Sequence, residues 1–288
     1  MTASAGDNFL GLHGPQTDPA AARYVVLPVP YEGTVSYEAG TADGPGAILR
    51  ASRHVELFDE ELRGEFFGAG IHTAPAVESA RDPAEQMRRV RAAAEPWIEE
   101  GKFLLTLGGE HSITVPIVEA VAAAAGEISV LQVDAHADLR DRLDGTPQSH
   151  GCVMRRILAT TPRICQVGVR SFSREEFAEC RPQADHFITP EEIDNREDWI
   201  DKALDLLGKK VYVTVDMDGL DPSIAPGVGT PEPGGLTWRQ LTRLLRRVCG
   251  ERHVVAADIV EVRPIPPNHV TEFIAARLAY KFVVYTQQ

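Results

Sequence analysis

Short runs of β-branched and leucine residues alternate along this chain with longer amphipathic stretches, and several of the runs stop abruptly in polar clusters. That alternation is the pattern of a parallel sheet covered by helices on both faces, so the expected class is α/β. Strands are predicted over residues 24–28, 68–73, 103–107, 128–133, 164–169, 186–189, 211–215 and 254–260. Helices are predicted over 84–100, 113–125, 191–207, 237–249 and 271 to about 285. Nothing within the 288 residues reads as a linker or repeat, which predicts one domain over residues 23–288. Residues 1–22 are small, polar and dotted with Gly and Pro, and are expected to form a flexible arm or to fold against another subunit.

Charge and cysteine usage narrow the function classes. A net charge of −13 opposes binding to nucleic acid or to an anionic membrane and favours small cationic molecules. The four cysteines, Cys152, Cys165, Cys180 and Cys249, stand far apart with no Cys-x-x-Cys pair, as in a reduced, cytoplasmic protein, and none is assigned chemistry. No apolar segment approaches the ~18 residues of a membrane span, and the N-terminus lacks a basic-then-apolar export signal.

Two acid-rich segments carry most of the chemical information: Asp134-Ala135-His136-Ala137-Asp138 and Asp216-Met217-Asp218, each directly after an apolar run. In extended backbone, residues two apart share a face, so Asp134, His136 and Asp138 converge, as do Asp216 and Asp218. Two carboxylates ~4 Å apart repel by about 4 kcal/mol at an effective dielectric of about 20, so four gathered together call for cations among them. A lone Asp-x-Asp is more often a polar turn. Imidazole is the commonest metal-binding side chain, and acids two residues to either side of His136 serve no evident turn or cap. Gly108-Gly109-Glu110-His111-Ser112 and Glu261 also follow apolar runs. Ligands of open parallel sheets bind beyond the carboxyl ends of the strands, so these four endings are expected to share one crevice, with His111 as a further nitrogen ligand.

Taken together, Gly108–Ser112, Asp134–Asp138 and Val215-Asp216-Met217-Asp218-Gly219-Leu220-Asp221-Pro222, with the continuation through Ala225-Pro226-Gly227 and Thr230-Pro231, resemble the ureohydrolase family of arginases and agmatinases from about Val25 to Tyr280. The resemblance implies a three-layer α/β/α sandwich with a mostly parallel, about eight-stranded sheet, and two Mn²⁺ ions in each subunit. It implies that His111 and Asp138 hold one ion, that His136 and Asp218 hold the other, and that Asp134 and Asp216 bridge them. Oxygen-rich ligation with two imidazoles and no thiolate suits Mn²⁺. Water shared by two such ions would supply hydroxide at neutral pH. By the same resemblance Glu261 grips the planar guanidinium by charge-assisted hydrogen bonds, and His150 carries a proton to the departing amine, which an ordinary imidazole near pKa ~6.5 suits. Asp138, His150 and Glu261 are the expected catalytic side chains.

The segment Leu139-Arg140-Asp141-Arg142-Leu143-Asp144 differs from the arginase pattern and is closer to prokaryotic agmatinases and aminopropylagmatine hydrolases. Agmatine, cleaved to putrescine and urea in polyamine biosynthesis, is therefore the expected substrate. N1-aminopropylagmatine, guanidinobutyrate or arginine are the alternatives, and a catalytically silent metal-binding relative is a further one. Arg140 and Arg142 fit a dicationic substrate poorly if they face the pocket. The family likeness also implies a homo-oligomer, trimer or hexamer.

Overall fold

The computed structural model describes residues 8–179 and 186–288. Its strands are β1 (Tyr24–Val29), β2 (Phe58–Asp59), β3 (Gly64–Glu65), β4 (Ile71–Thr73), β5 (Phe103–Gly108), β6 (Ser129–Val133), β7 (Ile164–Val167), β8 (Phe187–Ile188), β9 (Lys210–Asp216) and β10 (His253–Val260). The helices are α1 (Gly44–Ser52), α2 (Pro83–Glu99), α3 (Thr114–Ala125), α4 (Val153–Ile157), α5 (Arg174–Glu179), α6 (Pro190–Asn195), α7 (Trp199–Leu206), α8 (Trp238–Glu251) and α9 (Val270–Tyr285). Strands β2 and β3 pair as a small hairpin; the other eight form one sheet in the order β4-β1-β5-β10-β9-β6-β7-β8. Every neighbouring pair in that sheet is parallel, so the expected mostly parallel sheet is wholly so.

Period-two alternation sorts each strand between two cores. On one face Tyr24, Val26, Leu105, Leu107, Leu131 and Val133 pack with residues of α8 and α9 such as Leu241, Leu245 and Phe282. On the other, Val25, Leu27, Leu104 and Val130 pack with Val90, Ile117 and Met154 from α2, α3 and α4. These are the three layers expected.

Two expectations need correction. The helix predicted over 191–207 is two helices, because Arg196 is extended (φ −128°, ψ 125°) and its guanidinium closes on Asp198 at 2.8 Å. The arm expected over residues 1–22 is not free over its described part. Phe9, Leu10 and Leu12 are buried, since three apolar side chains in a polar stretch gain by leaving water. The Phe9 and Leu10 amides donate to Thr73 (2.9 Å) and Ser52 (2.8 Å), and Lys102 Nζ donates to the carbonyls of Pro19, Ala20 and Ala22.

Cys152 and Cys165 are buried and Cys249 half-buried, all without a disulfide; Cys180 lies outside the described residues. Among the described residues no helix is long and apolar enough to cross a membrane.

Candidate metal centre

Strands β5, β10, β9 and β6 are consecutive in the sheet, so their carboxyl ends lie side by side. Val133 pairs with Val215, and this brings the residues that follow, Asp134 and Asp216, to one place although 82 positions separate them in the chain. The four strand endings do share one crevice. Local geometry differs from the extended backbone expected, however: β6 stops at Val133, and Asp138 reaches back with a left-handed backbone (φ 53°). Asp218 sits in a 3-10 turn whose amide donates to Asp216 at 2.9 Å.

The six expected ligands come together. His111 Nδ1 lies 3.0 Å from Asp138, 3.2 Å from Asp134 and 3.6 Å from Asp216. His136 Nδ1 lies 2.9 Å from Asp218 and 3.6 Å from Asp134. His111, Asp134 and Asp216 form one group of candidate ligands and Asp134, His136 and Asp218 a second, so Asp134 belongs to both; within each group the ligand atoms lie within 4.8 Å of one another. Nearly all of this is buried.

Electrostatics expose the missing charge. Burial disfavours the imidazolium of His111, yet Asp134 and Asp138 hold its pKa well above the ordinary value. His136 is likewise raised to about 12, with burial outweighed by Asp218 and Asp134. Burial and the charge of Asp134 push Asp138 up to about 7, and burial with the neighbouring Asp218 and Asp134 pushes Asp216 well up. Groups displaced in this way are those a divalent cation would satisfy. The residues fit a metal: His111 Nδ1 is a buried nitrogen without a well-formed hydrogen bond, facing three carboxylates, and the donor set is hard oxygen with imidazole.

Glu261 also has a left-handed backbone (φ 62°) and accepts from the His111 amide at 2.7 Å. Burial and Glu110 raise its pKa well above the ordinary carboxylate range. It is not the partner of Arg263, whose guanidinium binds Glu38 at 2.9 Å instead. His150 sits between two hydroxyls, Thr34 on Nδ1 and Ser36 on Nε2, each at 2.8 Å. Burial and the charges of His111 and His136 lower it to about 4, so the ordinary imidazole value expected of it does not hold here. His111, His136, Asp138, His150, Asp216, Asp218 and Glu261 all line one cavity of about 350 Å³.

A model of the arginase family matches residues 22–284. The chain belongs to the arginase family. Its relatives include the N(1)-aminopropylagmatine ureohydrolases of Synechocystis sp., 39% identical over 93% of this chain and 90% of the relative, and of Thermus thermophilus, 42% identical over 90% and 88%. The solved agmatine ureohydrolase of Thermoplasma volcanium superposes with a TM-score of 0.87 at 33% identity, covering 99% of this chain and 95% of that one. This arginase-family hydrolase thus carries a ligand cluster fit for the metal on which that family depends.

Several residues that shape the site were not singled out from the sequence. Glu110, between the noted Gly109 and His111, is buried and accepts from the amides of Gly33 and Thr34 (both 2.5 Å) and from the Ser112 hydroxyl. It ties the segment after β1 to the turn that carries His111. That segment, with Glu32, Thr34, Ser36 and Glu38, forms a wall of the cavity. The signal was present: β1 also ends in a polar, Gly-punctuated stretch, a fifth strand ending at the same edge of the sheet. Gly109 approaches the Tyr31 carbonyl so closely that a Cβ there would lie 2.0 Å from its oxygen. Arg170 pins the Asp218 turn by donating to the carbonyls of Asp218 (2.8 Å), Glu232 (2.6 Å) and Pro233 (2.9 Å). An isolated arginine after β7 offers no sequence pattern that announces this. Of the two arginines noted earlier, Arg140 lines the cavity and leans toward Glu176 at 3.6 Å, whereas Arg142 donates to Gly145.

Proposed function

We propose that this protein hydrolyses the guanidinium group of a linear cationic amine, N1-aminopropylagmatine, releasing urea and a polyamine. The observation that carries the reading is the joining of two candidate metal-ligand groups through Asp134, buried against His111 and His136, which line one cavity with Glu261. In this reading His111, Asp134, His136, Asp138, Asp216 and Asp218 would together hold two Mn²⁺ ions. When bound, such cations supply Lewis-acid activation of water at neutral pH.

The remaining work falls to the chain. Glu261 has one oxygen committed to the His111 amide, and although burial and Glu110 favour its protonated form, bound cations and a guanidinium would draw it to the carboxylate, which can grip that planar group through charge-assisted hydrogen bonds. Addition of water and scission of the carbon–nitrogen bond to the alkyl arm leave urea, while the departing amine takes a proton. His150, neutral at pH 7 and bridged by two hydroxyls, is suited to relay that proton between its two nitrogens rather than to store it. Glu32, Glu38 and Glu176 line the outer cavity; Glu38 is paired with Arg263 and Glu176 lies near Arg140, the one arginine or lysine among the described lining residues, so Glu32 is the acid left to attract a cation. A cationic tail is favoured there and a substrate carboxylate is not. Two relatives about two-fifths identical, both named for aminopropylagmatine, support the longer substrate over agmatine. Agmatine is the second reading, favoured by the likeness to the agmatine ureohydrolase structure.

Urea release by Mn²⁺-loaded protein, measured in parallel on aminopropylagmatine, agmatine, arginine and guanidinobutyrate, tests this. The expected order places aminopropylagmatine first and the two carboxylate-bearing compounds last. Preferred turnover of arginine, or of none of the four, overturns the reading.

A further inference from the structure

Below the metal centre the sheet does something that an apolar core should avoid. Thr106 of β5 pairs in register with Asp258 of β10, Asp258 with Thr214 of β9, Thr214 with Gln132 of β6, and Gln132 with Gln166 of β7. Five polar side chains thus form one row across five adjacent strands, and each is wholly buried. Two residues earlier in each strand the same face reads Leu104, Ala256, Tyr212, Val130 and Ile164, an apolar row but for one hydroxyl. Two residues later, on the same face, come Asp216 and Asp134. Burying such a polar row is unfavourable unless its members are hydrogen-bonded to a purpose.

The hydrogen bonds have a direction, and it can be worked out from groups that act only one way. On the β6 side the Ala137 carbonyl can only accept, so the Gln166 amide group facing it at 2.8 Å is NH₂. The second hydrogen of that NH₂ goes to Gln132 Oε1, which turns the Gln132 NH₂ onto Asp134 Oδ2 at 2.6 Å. On the β10 side Asp258 Oδ2 accepts from the hydroxyls of Tyr212 (2.6 Å) and Thr114 (2.8 Å). Asp258 Oδ1 has no hydrogen-bond partner among the described residues, and the strand register sets Thr214 directly beside Asp258, so this oxygen is the acceptor open to the Thr214 hydroxyl. A Thr214 hydroxyl that donates to Asp258 must accept on its other side. There it meets His111 Nε2 at 2.8 Å, so Nε2 carries a hydrogen, and it is Nδ1, facing Asp134, Asp138 and Asp216, that would give up its proton and offer a lone pair to a cation.

We infer that this buried row positions the metal ligands from below, with Asp258 acting through Thr214 to present His111 by Nδ1 and Gln166 acting through Gln132 to hold Asp134. The inference rests on the two-ion reading of the site. Asp258, Thr214, Gln132 and Gln166 act as positioning residues and not on substrate, and the two halves of the row serve different ligands; the Thr106 hydroxyl has no partner among the described residues and takes no part. Asp134 stands in both ligand groups whereas His111 stands in one, so the β10 half governs one ion and the β6 half governs both.

The test is Mn²⁺ binding per chain, by titration with electron paramagnetic resonance of the free ion, on wild type, Thr214→Val, Thr214→Ser, Asp258→Asn and Gln132→Met, with melting of each metal-free variant as the fold control. Thr214→Val keeps the side-chain shape and removes the relay; it is expected to weaken one ion by about 10- to 100-fold and leave the other. Thr214→Ser restores it. Asp258→Asn keeps the volume but offers an NH₂ to Thr214, reversing the relay, and is expected to weaken the same ion even if the valine variant does not fold. Gln132→Met weakens both ions. In ¹⁵N-histidine protein loaded with cadmium, His111 couples to the metal through Nδ1 in wild type and Thr214→Ser, a signature that an unspecific loss of stability would not move. Folded Thr214→Val or Asp258→Asn protein binding both ions as tightly as wild type overturns the inference. Wild type holding fewer than two ions overturns the two-ion reading instead, and shows itself without any variant.

Discussion

Asp138 and Glu261 illustrate how much of the site depends on single backbone dihedrals. Both are non-glycine residues with left-handed backbones, φ 53° and 62°, a conformation that is unfavourable for residues with a Cβ and persists where surroundings over-determine it. For Glu261 the surroundings are the β10 register below, its own amide donating to the Gly109 carbonyl at 2.8 Å, and the His111 amide on its carboxylate. Replacing Glu261 by Gln keeps the shape and the His111 bond but removes the charge that grips a guanidinium. A hydrogen bond to a charged group contributes about 1.5–3 kcal/mol, so kcat/KM should fall by roughly 10- to 100-fold with metal content unchanged. Unaltered kcat/KM for E261Q would show that the carboxylate does not orient the substrate. At this scale the sequence was informative about identity: all six proposed ligands, Glu261 and His150 stand in the cavity or at its floor. It was uninformative about state. The ordinary imidazole range expected of His150 gives way to about 4, because burial and the charge of nearby histidines are properties of the pocket, not of the residue.

Elements were legible where their hydrophobic period was strong. All eight strands of the main sheet were expected near their observed places, since a strand buried on both faces writes an unbroken apolar run into the chain. Short elements held by tertiary contacts were not. The β2–β3 hairpin has no apolar alternation; it is tied down by Lys281 of α9, fully buried, whose Nζ lies 2.7 Å from the equally buried Asp59 and 3.3 Å from Glu60. The sequence shows only a lysine in a mostly apolar helix that also holds Glu272 and Arg277. Lys281→Met should therefore leave Asp59 as an unpaired buried charge, with a loss of about 3–5 kcal/mol in denaturant unfolding. Adding Asp59→Asn to that variant should recover part of the loss. An unchanged unfolding midpoint for Lys281→Met would mean that the pair contributes nothing net.

For the whole molecule, the acids gathered at one edge of the sheet make metal loading a proton-linked event. With no cation present, His136 has its pKa raised to about 12 and carries a proton at pH 7, and Asp134 and Asp138 hold the His111 pKa above the ordinary 6.5, toward its protonated form. A ligand nitrogen must be deprotonated, so loading at pH 7 should release protons, and apparent affinity should rise with pH. Calorimetry in buffers of different ionisation enthalpy reads this directly; heats independent of the buffer would contradict it. The sign for stability follows from the same shifts. In chelated protein the two imidazolium–carboxylate contacts contribute fully below the unfolded pKa near 6.5, and their contribution is lost as pH rises toward the folded values. His150 runs the other way, because its folded pKa is the lower one: its contribution is present above 6.5 and is lost as pH falls toward about 4.

The chain by itself determined the fold class, the order of its polar strand endings and the identity of its candidate ligands, because apolar runs and the acids that end them are local patterns. Which endings become neighbours was decided only by the sheet order, which sets β6 against β9 and β5 against β10 although their sequence order differs. Register did the rest. It aligned Thr106, Asp258, Thr214, Gln132 and Gln166 into a row that no local window of sequence contains, since pairing between strands is a long-range choice made by packing and not by any one segment.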